Sequence, residues 1–64
     1  MTKTDFEKLT YLEKKFYINN NLGLRFPALA KKHNKSESAI VQALQGKIPT
    51  LFAKIVNAKY MGLE

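Results

Sequence analysis

Hydroxyl, carboxylate and amide side chains are concentrated between Ser36 and Gln45, in the order S-E-S-A-I-V-Q-A-L-Q. An amide such as that of Gln42 or Gln45 can form two parallel hydrogen bonds to adenine N6 and N7 in a DNA major groove. A carboxylate such as Glu37 can accept from cytosine N4, and an apolar side chain such as Val41 can contact the thymine methyl group. These residue types therefore offer recognition of base edges, and the candidates are Glu37, Ser38, Val41, Gln42 and Gln45.

The same stretch is predicted to form a helix from Glu37 to about Gln45. Ser36 is a preferred N-cap residue, and a glycine such as Gly46 commonly follows the last residue of a helix. Three apolar residues recur at helical spacing and form the predicted inner stripe: Ile40, Ala43 and Leu44. The polar residues would then face outward, either toward DNA or simply toward water as the solvated side of an amphipathic helix.

A shorter helix is predicted immediately before it, from about Pro27 to His33. Proline suits the first turn of a helix, where a missing N–H does no harm. Asn34 follows, and asparagine tolerates the left-handed conformation that a tight turn between helices requires. Two helices joined in this way can hold the second one in a major groove. We expect His33 to be a partly buried structural residue, with contact to DNA as the alternative.

Two further helices complete the prediction. Residues 3–19 carry apolar side chains at helical spacing, namely Phe6, Leu9, Leu12 or Glu13, and Phe16. Thr4 is the expected N-cap of that helix, with Glu7 as its capping-box partner. The last helix opens at Pro49 or Thr50 and is expected to end at Gly62. No segment alternates in the way that predicts a strand, so the fold class is all-α: a small four-helix bundle containing a helix-turn-helix, with residues 1–64 as a single domain.

Length and composition restrict what the chain can do. A domain of 64 residues buries only about 60% of its unfolded surface. There is no cysteine and only one histidine, His33, so we expect no disulfide, no metal site and no cofactor. No apolar run approaches the roughly 20 residues that span a bilayer, and the charged N-terminus lacks an apolar signal core. We therefore expect a protein of the cytoplasm, either nucleoid-associated or in a host cytoplasm, without a membrane or small-molecule partner.

The net charge of +6 is unevenly distributed. Residues 1–24 hold four lysines against three acidic residues, a balance of +1, whereas residues 25–59 hold seven basic residues against Glu37 alone, a balance of +6. A basic surplus beside the helix pair is typical of nucleic-acid binders, although a merely solvated lysine-rich surface would look similar. The expected phosphate contacts are Arg25, Lys35 and Lys47. Lys14, Lys15 and Lys54 are weaker candidates for the same contacts, and the preferred interpretation is that they are plain solvated charges.

The sequence offers little for catalysis. No pair of carboxylates shares a helix face, and no Ser/His/Asp arrangement has supporting spacing. The three glycines, Gly23, Gly46 and Gly62, each lie where a helix should end, so they do not form a phosphate-binding loop. We expect the protein not to be an enzyme.

The segment from Leu22 to Lys47 resembles the helix-turn-helix of the lambda Cro and phage repressor superfamily. Many members follow roughly the pattern L-G-L-[ST]-Q-x-x-L-A-x-x-x-G-V-S-x-x-x-I-S-x-x-x-x-G-K. The matching residues are Leu22, Gly23, Leu24, Leu29, Ala30, Ser36, Ile40, Gly46 and Lys47. Residues 49–58 are similar to the helix that follows the motif in this family. The resemblance extends over residues 22–62.

The resemblance implies a transcription regulator, often a repressor, of phage, plasmid or mobile-element type. It also implies that base-reading positions fall at Ser36, Glu37, Ser38, Val41, Gln42 and Gln45. The chain departs from the pattern at the turn, where Asn34 and Lys35 replace a glycine and an apolar residue. Arg25 and Phe26 replace the usual Thr and Gln, which removes a common phosphate contact. The family's fifth helix, which commonly contributes its dimer surface, is not expected here.

The sequence as a whole predicts a sequence-specific DNA-binding regulator whose partner is double-stranded DNA. A homodimer is left open, and the tyrosines at 11, 17 and 60 are either core-edge residues or a dimer patch. One alternative is a protein-interaction module, such as an antirepressor or an inhibitor of a polymerase or repressor. Another is a non-specific architectural DNA-binding protein.

Overall fold

Five α-helices and no β-strand are present in the computed structural model, which describes residues 1–64. They are α1 (Lys3–Glu7), α2 (Tyr11–Phe16), α3 (Phe26–His33), α4 (Glu37–Leu44) and α5 (Pro49–Asn57). A π-helical turn, Tyr17–Asn21, continues α2, and a 3-10 turn, Lys59–Met61, follows α5. The all-α class is confirmed, but the number of helices is five rather than the predicted four. No helix has the length and apolar character needed to cross a membrane.

The additional helix arises because the predicted helix over residues 3–19 is divided at residues 8–10. The Thr10 hydroxyl accepts a hydrogen bond from the Glu13 N–H at 3.2 Å, and the Glu13 carboxylate accepts from the Thr10 N–H at 2.9 Å. This reciprocal capping box starts a new helix within the run of apolar residues. A second one joins Thr2 and Asp5 at the start of α1, so the prediction of Thr4 as N-cap was wrong.

The division also changes which side of α2 faces the core. The apolar stripe predicted for this helix includes Phe16 and either Leu12 or Glu13, but Leu12 and Phe16 are 72% and 63% exposed. Lys14, predicted to be solvated, is buried instead, and its Nζ donates to the Leu9 carbonyl at 2.8 Å. The ammonium also lies 5.4 Å from the ring centroid of Phe52. The break before α2 leaves the Leu9 carbonyl outside a helix, and the hydrogen bond to this carbonyl compensates for the burial of the Lys14 ammonium.

The core is formed by α1, α3, α4 and α5 together with the π-helical turn and the 3-10 turn. Its buried apolar residues are Phe6, Ile18, Leu29, Ala30, Ile40, Ala43, Leu44, Leu51, Ile55, Val56 and Met61. The stripe predicted for α4 is therefore confirmed. Phe52 is half-buried beside this core, and its ring stacks on Phe6 with the centroids 6.1 Å apart.

The connection between α3 and α4 forms as predicted. Asn34 has φ 54° and ψ 46°, the left-handed conformation. Beyond it, the Lys35 N–H donates to the Ala30 carbonyl at 2.8 Å, and the Ser36 hydroxyl accepts from the Ala39 N–H at 3.1 Å. These local bonds satisfy groups that would otherwise be unpaired at the two helix ends, so the turn fixes where α4 begins.

The chain after α5 differs from the prediction that the last helix continues to Gly62. Ala58 is extended, with φ −70° and ψ 142°, and ends α5 after Asn57. The following 3-10 turn places Tyr60 against α3, where its hydroxyl lies 2.6 Å from Nε2 of His33. His33 thereby takes the structural role expected of it, joining the end of α3 to the C-terminal segment.

Candidate nucleic-acid interface

The outer face of α4 is polar and accessible. Ser38, Gln42 and Gln45 are exposed, and residues separated by three or four positions lie on one side of a helix. That side is opposite the buried stripe of Ile40, Ala43 and Leu44. Glu37 is exposed at one edge of this face, and Val41 is half-buried there. We call Ser38, Gln42 and Gln45 the outer face of α4.

Two of these side chains are already in contact. Gln42 Nε2 donates a hydrogen bond to Ser38 Oγ at 3.3 Å, one turn earlier on the helix. The amide of Gln42 has a second N–H and a carbonyl oxygen that this bond does not use. These remaining groups are the donor and acceptor that a bidentate contact with adenine requires. The bond thus limits the freedom of the amide while leaving its recognition groups available.

Ser36 has a different role from its neighbours. Its hydroxyl oxygen accepts from the Ala39 N–H and caps α4. An N-cap side chain is held in one position by this bond, although its own O–H can still donate to a ligand. Ser36 therefore positions the start of the helix, and its hydroxyl hydrogen and second lone pair are not used by this bond.

The three predicted phosphate contacts are exposed at the ends of α3 and α4. Arg25 is the N-cap residue of α3, Lys35 lies in the connection before α4, and Lys47 follows α4. The Lys47 main chain is fixed by its N–H, which donates to the Gln42 carbonyl at 2.9 Å. The side-chain hydrogen bonds within the chain use none of these three cations, so their charges are free to meet a partner.

A cavity beside α4 brings Lys35 close to Lys54, one of the weaker candidates for a phosphate contact. Its volume is about 190 Å³, and it is lined by Lys35, Ala39, Ile48, Thr50, Leu51 and Lys54. Lys54 lies in the middle of α5 and is exposed, so nothing in its local sequence distinguishes it from other solvated lysines. Only the packing of α4 against α5 shows that Lys54 and Lys35 border the same space.

Positive charge extends from this cavity toward the end of α3. Burial lowers the pKa of the His33 imidazole from 6.5, and the ammonium groups of Lys54 and Lys32 lower it further. Burial also raises the pKa of Tyr60 to about 12, and Lys32 Nζ lies 5.4 Å from the centroid of the Tyr60 ring. At neutral pH both members of the His33–Tyr60 pair are therefore uncharged, while the lysines around them remain cationic.

Comparisons with known proteins provide no relative from which a function can be carried over. No family model, no curated protein and no solved structure matches the chain. The features from which function can be inferred are therefore the outer face of α4, the cations at the ends of its neighbouring elements, and the cavity between α4 and α5.

Proposed function

We propose that the protein is a sequence-specific DNA-binding regulator of transcription that places α4 in the major groove. The observation that carries this proposal is the exposure of Ser38, Gln42 and Gln45 above a fully apolar inner stripe. A helix whose amide side chains point away from the core is the element that a major groove accommodates and that base edges can pair with. If the structure had buried these side chains, the proposal would not stand.

The charge of the chain supports the same conclusion. Arg25, Lys35 and Lys47 are exposed, and none is used in a side-chain hydrogen bond within the chain. Cations around a recognition element bind phosphates and fix the orientation of the protein without specifying sequence. The balance of +6 over residues 25–59 also favours rapid association with a polyanion.

The connection between α3 and α4 supports a helix-turn-helix. The left-handed Asn34 and the Ser36 cap hold two helices of similar length on either side of a short turn. This arrangement agrees with the resemblance of residues 22–47 to the lambda Cro and phage repressor superfamily. We therefore propose a regulator of phage, plasmid or mobile-element type that acts on DNA in the cytoplasm, most simply as a repressor.

Selection of binding sites from a random duplex library tests this proposal. The wild-type protein should enrich a short sequence, and its affinity for that duplex should fall steeply with salt, with a log–log slope of about −0.9 for each phosphate neutralised. Equal affinity for all duplexes together with a steep salt slope would instead indicate an architectural DNA-binding protein. Absence of duplex binding at low salt would contradict both functions.

A second candidate function is favoured by the exposed apolar side chains of the N-terminal region. Leu12 and Phe16 are exposed and lie one turn apart on α2. Met1, two residues before the start of α1, is 49% exposed. Phe16 and Met1 also line a cavity of about 270 Å³ together with Leu9, Tyr17, Glu13 and Asn21. Exposed large apolar groups that cluster mark sites of protein interaction, so a protein-interaction module is the alternative.

Two substitutions separate the candidates. Replacing Leu12 and Phe16 with serine should leave duplex affinity of a monomeric DNA binder unchanged, whereas it should abolish binding to a protein partner. The mass of the wild-type protein, measured by analytical ultracentrifugation over a range of concentrations, shows whether that partner is a second copy. Loss of a concentration-dependent dimer in the double variant would place a homodimer interface on α2.

A further inference from the structure

The residues that line the cavity between α4 and α5 favour an anion as its ligand. Its polar lining residues are Lys35, Lys54 and Thr50, and none of its lining residues carries a carboxylate. The rest of the lining is apolar, with Leu51 almost fully buried at 3% exposure. Two cations without an acidic neighbour are unpaired charges that attract an anion.

The size of the cavity narrows the choice of anion. Sites for drug-sized organic ligands are typically about 300–1,000 Å³, and this cavity has a volume of about 190 Å³. A phosphate group is a compact anion with several acceptor oxygens, and both lysine ammonium groups and a threonine hydroxyl can donate to it. The lining therefore matches a single phosphate better than it matches an extended ligand.

The position of the cavity relates it to the outer face of α4. Ala39, which lines the cavity, directly follows Ser38 of the outer face and lies about 100° around the helix from it. The cavity thus lies on the flank of α4, between the outer face and the buried stripe. Groups that flank a recognition helix are those that meet the sugar–phosphate backbone of a groove.

We propose that this cavity holds one backbone phosphate of the duplex that α4 reads, with Lys35, Lys54 and Thr50 as its donors. The inference rests on the proposed DNA-binding function and deepens it, because it makes Lys54 and Thr50 parts of the interface. It also gives Lys35 a specific phosphate partner, which it shares with Lys54 and Thr50. The positive field that Lys54 imposes on His33 agrees with an electropositive cavity.

The test compares Lys54→Ala with Lys8→Ala, which removes the same charge at an exposed position after α1. Affinity is measured at several salt concentrations for a site-selected duplex and for a random one. Lys54→Ala should weaken both duplexes alike and reduce the size of the log–log salt slope by about 0.9, the contribution of one phosphate. Lys54→Arg should restore the slope, and Lys8→Ala should leave it unchanged. Circular dichroism melts of all variants establish that each is folded.

Duplexes with a single methylphosphonate linkage then locate the contact. The neutral linkage is placed at each position of each strand in turn. At one position it should weaken duplex binding by the wild-type protein and leave duplex binding by Lys54→Ala unchanged. If the wild-type protein binds DNA but Lys54→Ala behaves as Lys8→Ala does, the phosphate assignment is overturned while the proposed function survives. If the wild-type protein binds no duplex, both are overturned.

Discussion

Gln42 and Ser38 are joined on the outer face of α4 by a hydrogen bond of 3.3 Å between the amide nitrogen and the hydroxyl oxygen. Because both side chains are exposed, the bond does not anchor the fold. In the proposed complex it would reduce the number of conformations from which the Gln42 amide reaches a base, so less conformational entropy would be lost on binding. This pair is therefore the part of α4 that the proposed recognition would use most directly.

Gln42→Ala should weaken binding to the selected duplex far more than binding to random DNA. A bidentate contact between an amide and adenine discriminates by about 1–3 kcal/mol, which corresponds to roughly a 5- to 150-fold loss of specific affinity. The measurement is the dissociation constant of each variant for both duplexes at one fixed salt concentration. An equal loss on both duplexes would mean that Gln42 does not read a base.

Lys47→Ala should weaken the selected and the random duplex alike. Lys47 lies three residues after the end of α4 and its side chain has no hydrogen-bond partner in the chain, and the proposal makes it a phosphate contact that carries no sequence information. The size of the log–log salt slope should fall by about 0.9. If neither this substitution nor Gln42→Ala changes duplex affinity, α4 does not dock in the groove.

The helix pair could be predicted from sequence because strong local signals fix its ends. Pro27 marks the start of α3, Asn34 supplies the left-handed turn, and Ser36 and Gly46 bound α4. Each signal acts within a few residues and does not depend on distant packing. The observed ends of both helices consequently agree with the predicted ones to within one residue.

The N-terminal region could not be predicted in the same way. Thr2, Thr4 and Thr10 each precede an acidic residue by three positions, so three capping boxes compete and the sequence does not rank them. The continuous apolar spacing of residues 6–16 conceals the break that the structure shows before α2. Which side of α2 is buried is decided by packing against the rest of the core, and the same is true of the cavity that Lys54 shares with Lys35.

Lys14→Met should destabilise the fold although it removes a charge from a basic protein. The Lys14 ammonium bonds the Leu9 carbonyl at 2.8 Å in a largely buried position, and methionine retains the apolar stem but leaves that carbonyl without its partner. Hydrogen bonds of this charged type contribute about 1.5–3 kcal/mol, so we expect a loss near the lower end of that range. Equilibrium urea unfolding measures it.

Lys15→Met is the matched control for that prediction. Lys15 is the next residue on α2 and is exposed, and surface substitutions of this kind usually change stability by no more than about 0.5 kcal/mol. Similar unfolding midpoints for the two variants would show that the bond between Lys14 and Leu9 does not stabilise the break before α2.

The burial of His33 makes stability depend on pH. Burial first, and then the charges of Lys54 and Lys32, lower the pKa of folded His33 below 6.5. The unfolded chain therefore binds a proton at a higher pH than the folded chain does, and folding stability increases with pH in that interval. The stability that neutral His33 contributes to the folded state is fully present above about pH 6.5. It is lost as the pH falls through the lowered pKa of folded His33.

The free energy of unfolding should therefore decrease between about pH 7.5 and pH 5, the range in which histidine titrates. Urea unfolding at several pH values in this range measures the slope. His33→Gln removes the titrating group and should flatten the slope, since glutamine has no proton to gain. Hydrogen bonds with Thr10 lower the pKa of the Glu13 carboxyl, so this group does not account for the slope. An unchanged slope in His33→Gln would show that His33 is not the source of the pH dependence.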